Sequence, residues 1–263
     1  MTALSDYMER GFTEVEGWVL PAAVAALNAL DQISRLHGVA EGGACEIGVH
    51  HGRFFLALLA CVDPNNRSLA IDIFEDQALN LDRSGRGSKD QFLENIRRFS
   101  NAADRVDLLQ ADSLSMTLGQ IASISAQAVP FRLFSVDGGH TIVHAYNDIL
   151  IAQELTANGG IVIVDDIFQQ DWPGVTEAVM RYFGSANAKL APLCIAGSKL
   201  FLTTLSYHSR YMNDLRHTLL RGRSRSSAKQ VTLFGYPAIS FRMHHQDSVV
   251  PAPPDQTQPT QAS

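Results

Sequence analysis

The sequence predicts an α/β protein: a doubly wound, mostly parallel β-sheet with helices on both faces and an antiparallel strand near its end. Five short apolar or β-branched runs, at 44–49, 68–73, 106–110, 131–136 and 160–164, are mostly followed by helical periodicity. Alternation of that kind implies a parallel sheet buried on both sides. The run LAPLCIAGSKLFLTT reads as a hairpin with Gly197 and Ser198 at its turn, which adds an antiparallel strand. With 263 residues, 46% of them hydrophobic, the chain fits one large domain with appendages or two small domains.

In chain order, PAAVAALNALDQISRLHG opens the pattern as a leading helix, with Pro21 at a first helical position and Gly38 just past its end. The strands at 44–49, 68–73, 106–110 and 131–136 follow. Before the fifth strand, Asn158, Gly159 and Gly160 are expected to end a helix and turn the chain sharply. After it, PGVTEAVMRYF reads as a helix opened by Pro173. Beyond Leu205 the pattern weakens to an amphipathic helix over Tyr207 to Leu220, a basic loop and one strand-like piece, VTLFGYPAISFR. The proline-rich, polar VVPAPPDQTQPTQAS is expected to be disordered. The organisation expected is therefore a helical cap (1–40), a main domain (41–205), a helix-and-strand appendage (206–248) and a tail (249–263). There is no internal repeat.

The formal net charge of −6 gives no electrostatic reason to bind nucleic acid or anionic lipid over the whole surface. The basic run Arg216 to Lys229 reads as a solvated helix end and loop, with phosphate contact as the alternative. No apolar run is long enough to span a bilayer, and the first residues lack a basic and an apolar segment in series, so the expectation is a soluble, cytoplasmic protein. Cys45, Cys61 and Cys194 have neither CxxC pairing nor zinc spacing and read as small core residues. Homo-oligomerisation is left open.

The candidate chemistry sits at strand ends. In CEIGVHHGRF, Gly48 and Gly52 bracket the turn from the first strand into a helix, where a missing Cβ lets a ligand approach the backbone. The pattern is not the three-glycine GxGxxG of dinucleotide sites. Asp72 ends the second strand 24 residues after Gly48, where an α/β nucleotide site places a carboxylate on ribose hydroxyls. Asp112 and Ser113 close the third strand, where a side-chain acceptor could meet an adenine amino group. FSVDGGH runs the fourth strand into Asp137 and His140, and IVIVDDIF ends the fifth on Asp165 and Asp166.

Taken together, E-x-G-x-x-x-G in the first turn, the acid at the second strand end, ADS at the third, VDGGH at the fourth and VDDIF with WPGV at the fifth resemble class I S-adenosylmethionine-dependent methyltransferases. More narrowly they resemble the bacterial metal-dependent sugar O-methyltransferases of macrolide and aminocoumarin biosynthesis, over roughly residues 20–204. The resemblance implies a seven-stranded sheet of order 3-2-1-4-5-7-6 with the last strand antiparallel, and S-adenosylmethionine lying over the first three strand ends. Glu46 and Gly48 would face its amino acid moiety, Asp72 its ribose, and Asp112 with Ser113 its adenine. His50, Gly52 and Asp137 are counted with the same cofactor set. His50 and His51 otherwise read as positional, or as lining the acceptor pocket.

Three carboxylates on one rim repel unless a cation or protons compensate them. In the family resembled, acids at these places hold a metal, so Asp137, Asp165 and Asp166 are the expected ligands of Mg²⁺ or another hard divalent ion; the alternative is that Asp165 or Asp166 caps the following turn. Methyl transfer to a neutral hydroxyl needs its proton removed, and His140 has the intrinsic pKa for the task. His140 and Asp137 are the expected catalytic residues. In the catechol O-methyltransferases a lysine stands at the His140 offset, whereas the sugar enzymes carry an acidic residue close behind the aspartate, so GGH departs from their pattern. His140 as a helix cap is the structural alternative. The polar stretch FEDQALNLDRSGRGSKDQF reads as a lid, with Arg83 or Arg86 able to meet an anionic or polyhydroxylated group, and Trp172 as a stacking platform.

The function expected is O-methylation of a small hydroxylated acceptor, a sugar or a phenol, dependent on S-adenosylmethionine and a divalent cation. The alternatives are a hydroxylase or other reaction on the same scaffold, and a non-catalytic cofactor-binding partner subunit. A nicotinamide-binding domain is disfavoured by the missing third glycine.

Overall fold

The computed structural model describes residues 3–127, 129–220 and 226–243. Two helices, α1 (Ala3–Arg10) and α2 (Pro21–Leu36), precede the sheet. Then β1 (Ala44–Ile47), α3 (Arg53–Leu59), β2 (Ser68–Asp72), α4 (Lys89–Phe99), β3 (Val106–Gln110), α5 (Leu118–Gln127), β4 (Phe131–Val136), α6 (Ile142–Leu155), β5 (Thr156–Val164) and α7 (Pro173–Phe183) alternate. The chain closes with β6 (Leu190–Ala196), β7 (Lys199–Thr204), α8 (Leu205–Leu219), β8 (Ser226–Leu233) and β9 (Tyr236–Met243).

Among the described residues the sheet has nine strands in the order β3-β2-β1-β4-β5-β7-β6-β9-β8. The first seven follow the expected order, parallel from β3 to β5 and antiparallel at β5–β7 and β7–β6. Side-chain alternation along the buried strands divides the core in two. Ile161 and Ile163 of β5 pack with α2, α3 and α8, while Val162 and Val164 pack with α6 and α7. Pro21 opens α2, as its preset φ favours, and Gly38 follows its end at φ +80°.

Two local expectations are corrected. VTLFGYPAISFR is a hairpin rather than one strand: Phe234 and Gly235, at φ +50° and +83°, turn β8 back onto β9, which extends the sheet beside β6. Phenylalanine is not a residue that advertises such a turn. The stretch TANGG continues straight from α6 as the first half of β5. Its Gly159 sits at φ +82° where the β4–β5 register slips between Phe131 and Leu133, so the irregularity is a bulge inside a strand. Arg132, fully buried on β4, donates to Asp31 Oδ1 at 2.5 Å, to Ser34 Oγ at 2.9 Å and to the Cys61 carbonyl, tying α2 to the sheet.

No helix among the described residues is long and apolar enough to cross a membrane. The tail from residue 249 and the middle of the basic run, 221–225, lie outside the described residues.

Candidate active site

The C-terminal ends of the parallel strands open into one cavity of about 940 Å³. It is walled by Glu46, Gly48, His50, Asp72, Asp112, Ser113, Asp137, His140, Asp165 and Asp166, so nearly every residue singled out in the sequence reaches it. Gly52 does not: at φ +90° it is the turn into α3 and lies against the Phe92 ring. Gly48, at φ +86°, has no room for a side chain, because a Cβ there would stand 1.9 Å from the Asp137 carbonyl oxygen. The β1 and β4 ends therefore touch backbone to backbone.

Glu46 is buried, its Oε1 finds no hydrogen-bond partner among the described residues, and burial raises its pKa to about 8 against the opposing charge of Lys199. Asp72 accepts from the Phe74 N–H at 2.6 Å and the His50 N–H at 2.8 Å, which fixes its carboxylate at the β2 end. Burial raises its pKa as well, against those same N–H groups. Asp112 accepts from the Leu114 N–H at 3.0 Å, which holds it beside Ser113.

The three rim acids are not equivalent. Lys199, the first residue of β7, is only 1% exposed; its Nζ touches Asp165 Oδ2, lies 3.2 Å from Asp137 Oδ2 and sits 4.2 Å above the Phe54 ring. Asp165 Oδ1 accepts from Ser198 Oγ at 2.6 Å and from the Asp166 N–H at 2.8 Å. Burial alone would raise the Asp165 pKa, but the Lys199 ammonium outweighs it and holds the carboxyl below its ordinary value. Asp137 goes the other way: burial and the neighbouring Asp165 charge push it up. At the rim, the three residues whose donor atoms come within 4.8 Å of one another are Asp137, His140 and Asp166; Glu16, His50 and His51 form a second such group.

His140 is clamped between two carboxylates. Asp82 Oδ2 accepts from the His140 backbone N–H at 2.5 Å and lies 3.0 Å from ring Nδ1, while Asp166 Oδ2 lies 2.9 Å from Nε2. Trp172 stacks on the imidazole with centroids 4.3 Å apart. Burial would lower the His140 pKa; Asp166 and Asp82 outweigh it and hold it above 6.5. Asp82 itself is fixed at about 2, because the Ser84 hydroxyl and the N–H groups of His140 and Ser84 offset its desolvation. His140 is not the cap of α6. That role falls to Thr141, whose hydroxyl accepts from the His144 N–H.

Residues 45–167 match the family model described as a methyltransferase domain. The chain is similar to methyltransferase domains from β1 to just past β5. Its fold is shared with the O-methyltransferase NovP, at 16% identity over 68% of this chain and 79% of that one, with a TM-score of 0.54. CalS11, a calicheamicin methyltransferase, aligns at 18% identity over 76% and 85% of the two chains with a TM-score of 0.50. Cofactor-bound Rv0187 from MTB gives 15%, 77%, 87% and 0.50. No curated protein matches the chain.

Three residues at this site went unread in the sequence: Asp82 and His144 on the cavity wall, and Lys199 behind it against Asp137 and Asp165. Lys199 reads as the polar start of a hairpin strand. Asp82 is one of several acids in a polar loop, with Arg83 and Arg86 outside the cavity wall. His144 lines the cavity with Nδ1 2.7 Å from Thr141 Oγ1 and Nε2 3.6 Å from Asp112; its spacing of four from His140, across a helix start, was the available signal.

Proposed function

We propose that the chain is an S-adenosylmethionine-dependent O-methyltransferase that acts on a hydroxyl of a small sugar or phenolic acceptor. The observation that carries this reading is His140, a half-buried imidazole on the cavity wall whose ring is oriented by Asp82 and faced by Asp166.

The cavity suits the cofactor on its own chemistry. Glu46 keeps a buried carboxyl oxygen without a partner among the described residues, which a ligand ammonium would satisfy, and Gly48 lines the cavity beside it with no side chain. When bound, S-adenosylmethionine supplies an electrophilic methyl group on a sulfonium. Glu46 and Gly48 would hold its amino acid moiety, Asp72 its ribose, and Asp112 with Ser113 its adenine edge.

His140 then moves the proton. Nδ1–H donates to Asp82; Asp166, facing Nε2, favours the doubly protonated ring, so Nε2 offers a lone pair only once that proton has left, above the raised pKa. An acceptor hydroxyl that displaced the direct Nε2–Asp166 contact would give its proton to the deprotonated Nε2, which would leave its oxygen ready for methylation. Asp166 stabilises the imidazolium so formed, and Trp172 keeps the ring plane fixed. The indole and the exposed side chains of Trp18 and Leu81 also offer apolar faces to an acceptor ring.

The divalent ion expected from the sequence meets a donor set that does not suit it. Asp165 already has both oxygens engaged, Asp137 faces the Lys199 ammonium, and His140 and Asp166 satisfy each other. No step here passes through a metal.

The test is transfer of a labelled methyl group from S-adenosylmethionine to a panel of sugars and catechols. The wild type is expected to label acceptor oxygen, and His140→Gln to lose about 10²–10⁴-fold in kcat. Equal turnover in the variant would remove His140 from the chemistry.

A further inference from the structure

We propose that Lys199 is the resident cation of the acidic mouth, holding Asp137 and Asp165 in place of a divalent metal, so that this methyltransferase works without one. The inference deepens the O-methyl transfer reading and rests on it for the reaction, but not for the cation.

The placement follows from strand pairing. In the antiparallel β5–β7 ladder Ile163 faces Phe201 and Val164 faces Leu200, so one further step sets Lys199 opposite Asp165, at the end where the parallel strands open. The turn through Gly197, at φ +65°, and Ser198 closes this hairpin and brings the Ser198 hydroxyl onto Asp165 Oδ1. Lys199 itself is 1% exposed, so its ammonium has protein partners only: Asp165 Oδ2, Asp137 Oδ2 at 3.2 Å and the face of Phe54 at 4.2 Å. A buried ammonium persists only when paired, and two rim carboxylates converge only when a cation separates them. Each condition meets the other here. A divalent ion added on the remaining donors, Asp137, His140 and Asp166, would share Asp137 with a fixed positive charge and would have to break the 2.9 Å His140–Asp166 contact.

Lys199 is thus a positioning residue, acting through Asp137 and Asp165. Its removal should convert the mouth from a self-compensated site into a vacant cation site. The experiment is calorimetric titration of the full chain with Mg²⁺ and with Mn²⁺, on wild type, Lys199→Gln and Lys199→Met, together with methyl transfer before and after chelation. The wild type is expected to bind neither ion more tightly than about 1 mM and to keep its rate within about twofold in chelator. The variants should bind Mn²⁺ at least about tenfold more tightly than wild type, or show a Tm that Mn²⁺ raises and the wild type's does not. One-to-one binding of either ion to the wild type below about 100 μM, or loss of its turnover on chelation, would overturn the proposal. If the variants do not fold, the wild-type titration and chelation still decide it. A chain that transfers no methyl group under any condition fails the functional reading, while the titration continues to test Lys199.

Discussion

At the cavity floor, Glu46 shows how a single residue couples the fold to its ligand. Its carboxyl titrates at about 8 in the folded chain against an ordinary 4.5, because burial disfavours the charged form more than Lys199 favours it. A carboxyl raised in this way binds more protons folded than unfolded. Its contribution to stability is therefore full below pH 4.5 and is lost as pH rises from 4.5 to about 8. Denaturant unfolding of the ligand-free protein across that range is expected to show this loss, and Glu46→Gln is expected to flatten it. An unchanged pH slope in the variant would mean that Glu46 ionises freely in the fold. The site residues visible in the sequence were those with a positional signature: Glu46 heads the E-x-G-x-x-x-G turn, and Asp72, Asp112, Asp137 and Asp165 each close an apolar run. Lys199 and Asp82 have no such signature. A lysine beside a hairpin turn and an aspartate in a polar loop are ordinary surface residues until the tertiary fold sets them against Asp165 and His140.

At the level of elements, the strands and helices from β1 to β7 were legible because β-branched runs and 3.6-residue periodicity alternate without ambiguity. The departures have local causes. Gly159 reads as a helix stop, yet its positive φ serves a bulge, and the Phe234–Gly235 turn joins two strands that the sequence merges into one. Arg132 was hidden for another reason: a charged residue inside an apolar strand gives no hint of its partner 101 positions earlier. It bonds Asp31, Ser34 and the Cys61 carbonyl from a fully buried position. Arg132→Met is expected to destabilise the protein by about 2 kcal/mol, since it removes the buried donors to Asp31, Ser34 and the Cys61 carbonyl and leaves Asp31 and that carbonyl to Arg35. Chemical denaturation of wild type and variant measures it, and a loss under about 0.5 kcal/mol would show that α2 docks through its apolar face alone.

For the molecule as a whole, sequence order and spatial order combine to place the site. The parallel strands β1 to β5 deliver their C-terminal ends to one side, and β7, running back between β5 and β6, inserts the Lys199 cation among the acids they carry. On the proposed reading the acceptor meets Trp18, Leu81 and Trp172 on the cavity wall; Trp172 was read in the sequence as a stacking platform, whereas Trp18 and Leu81 follow no strand or helix pattern and were not singled out. The central claim is that S-adenosylmethionine occupies the cavity over the ends of β1, β2, β3 and β4. Amide hydrogen exchange with and without S-adenosylhomocysteine tests it most directly. Slowed exchange is predicted at 47–52, 72–75, 111–114 and 137–140, and protection absent from these turns or confined to other segments would contradict it.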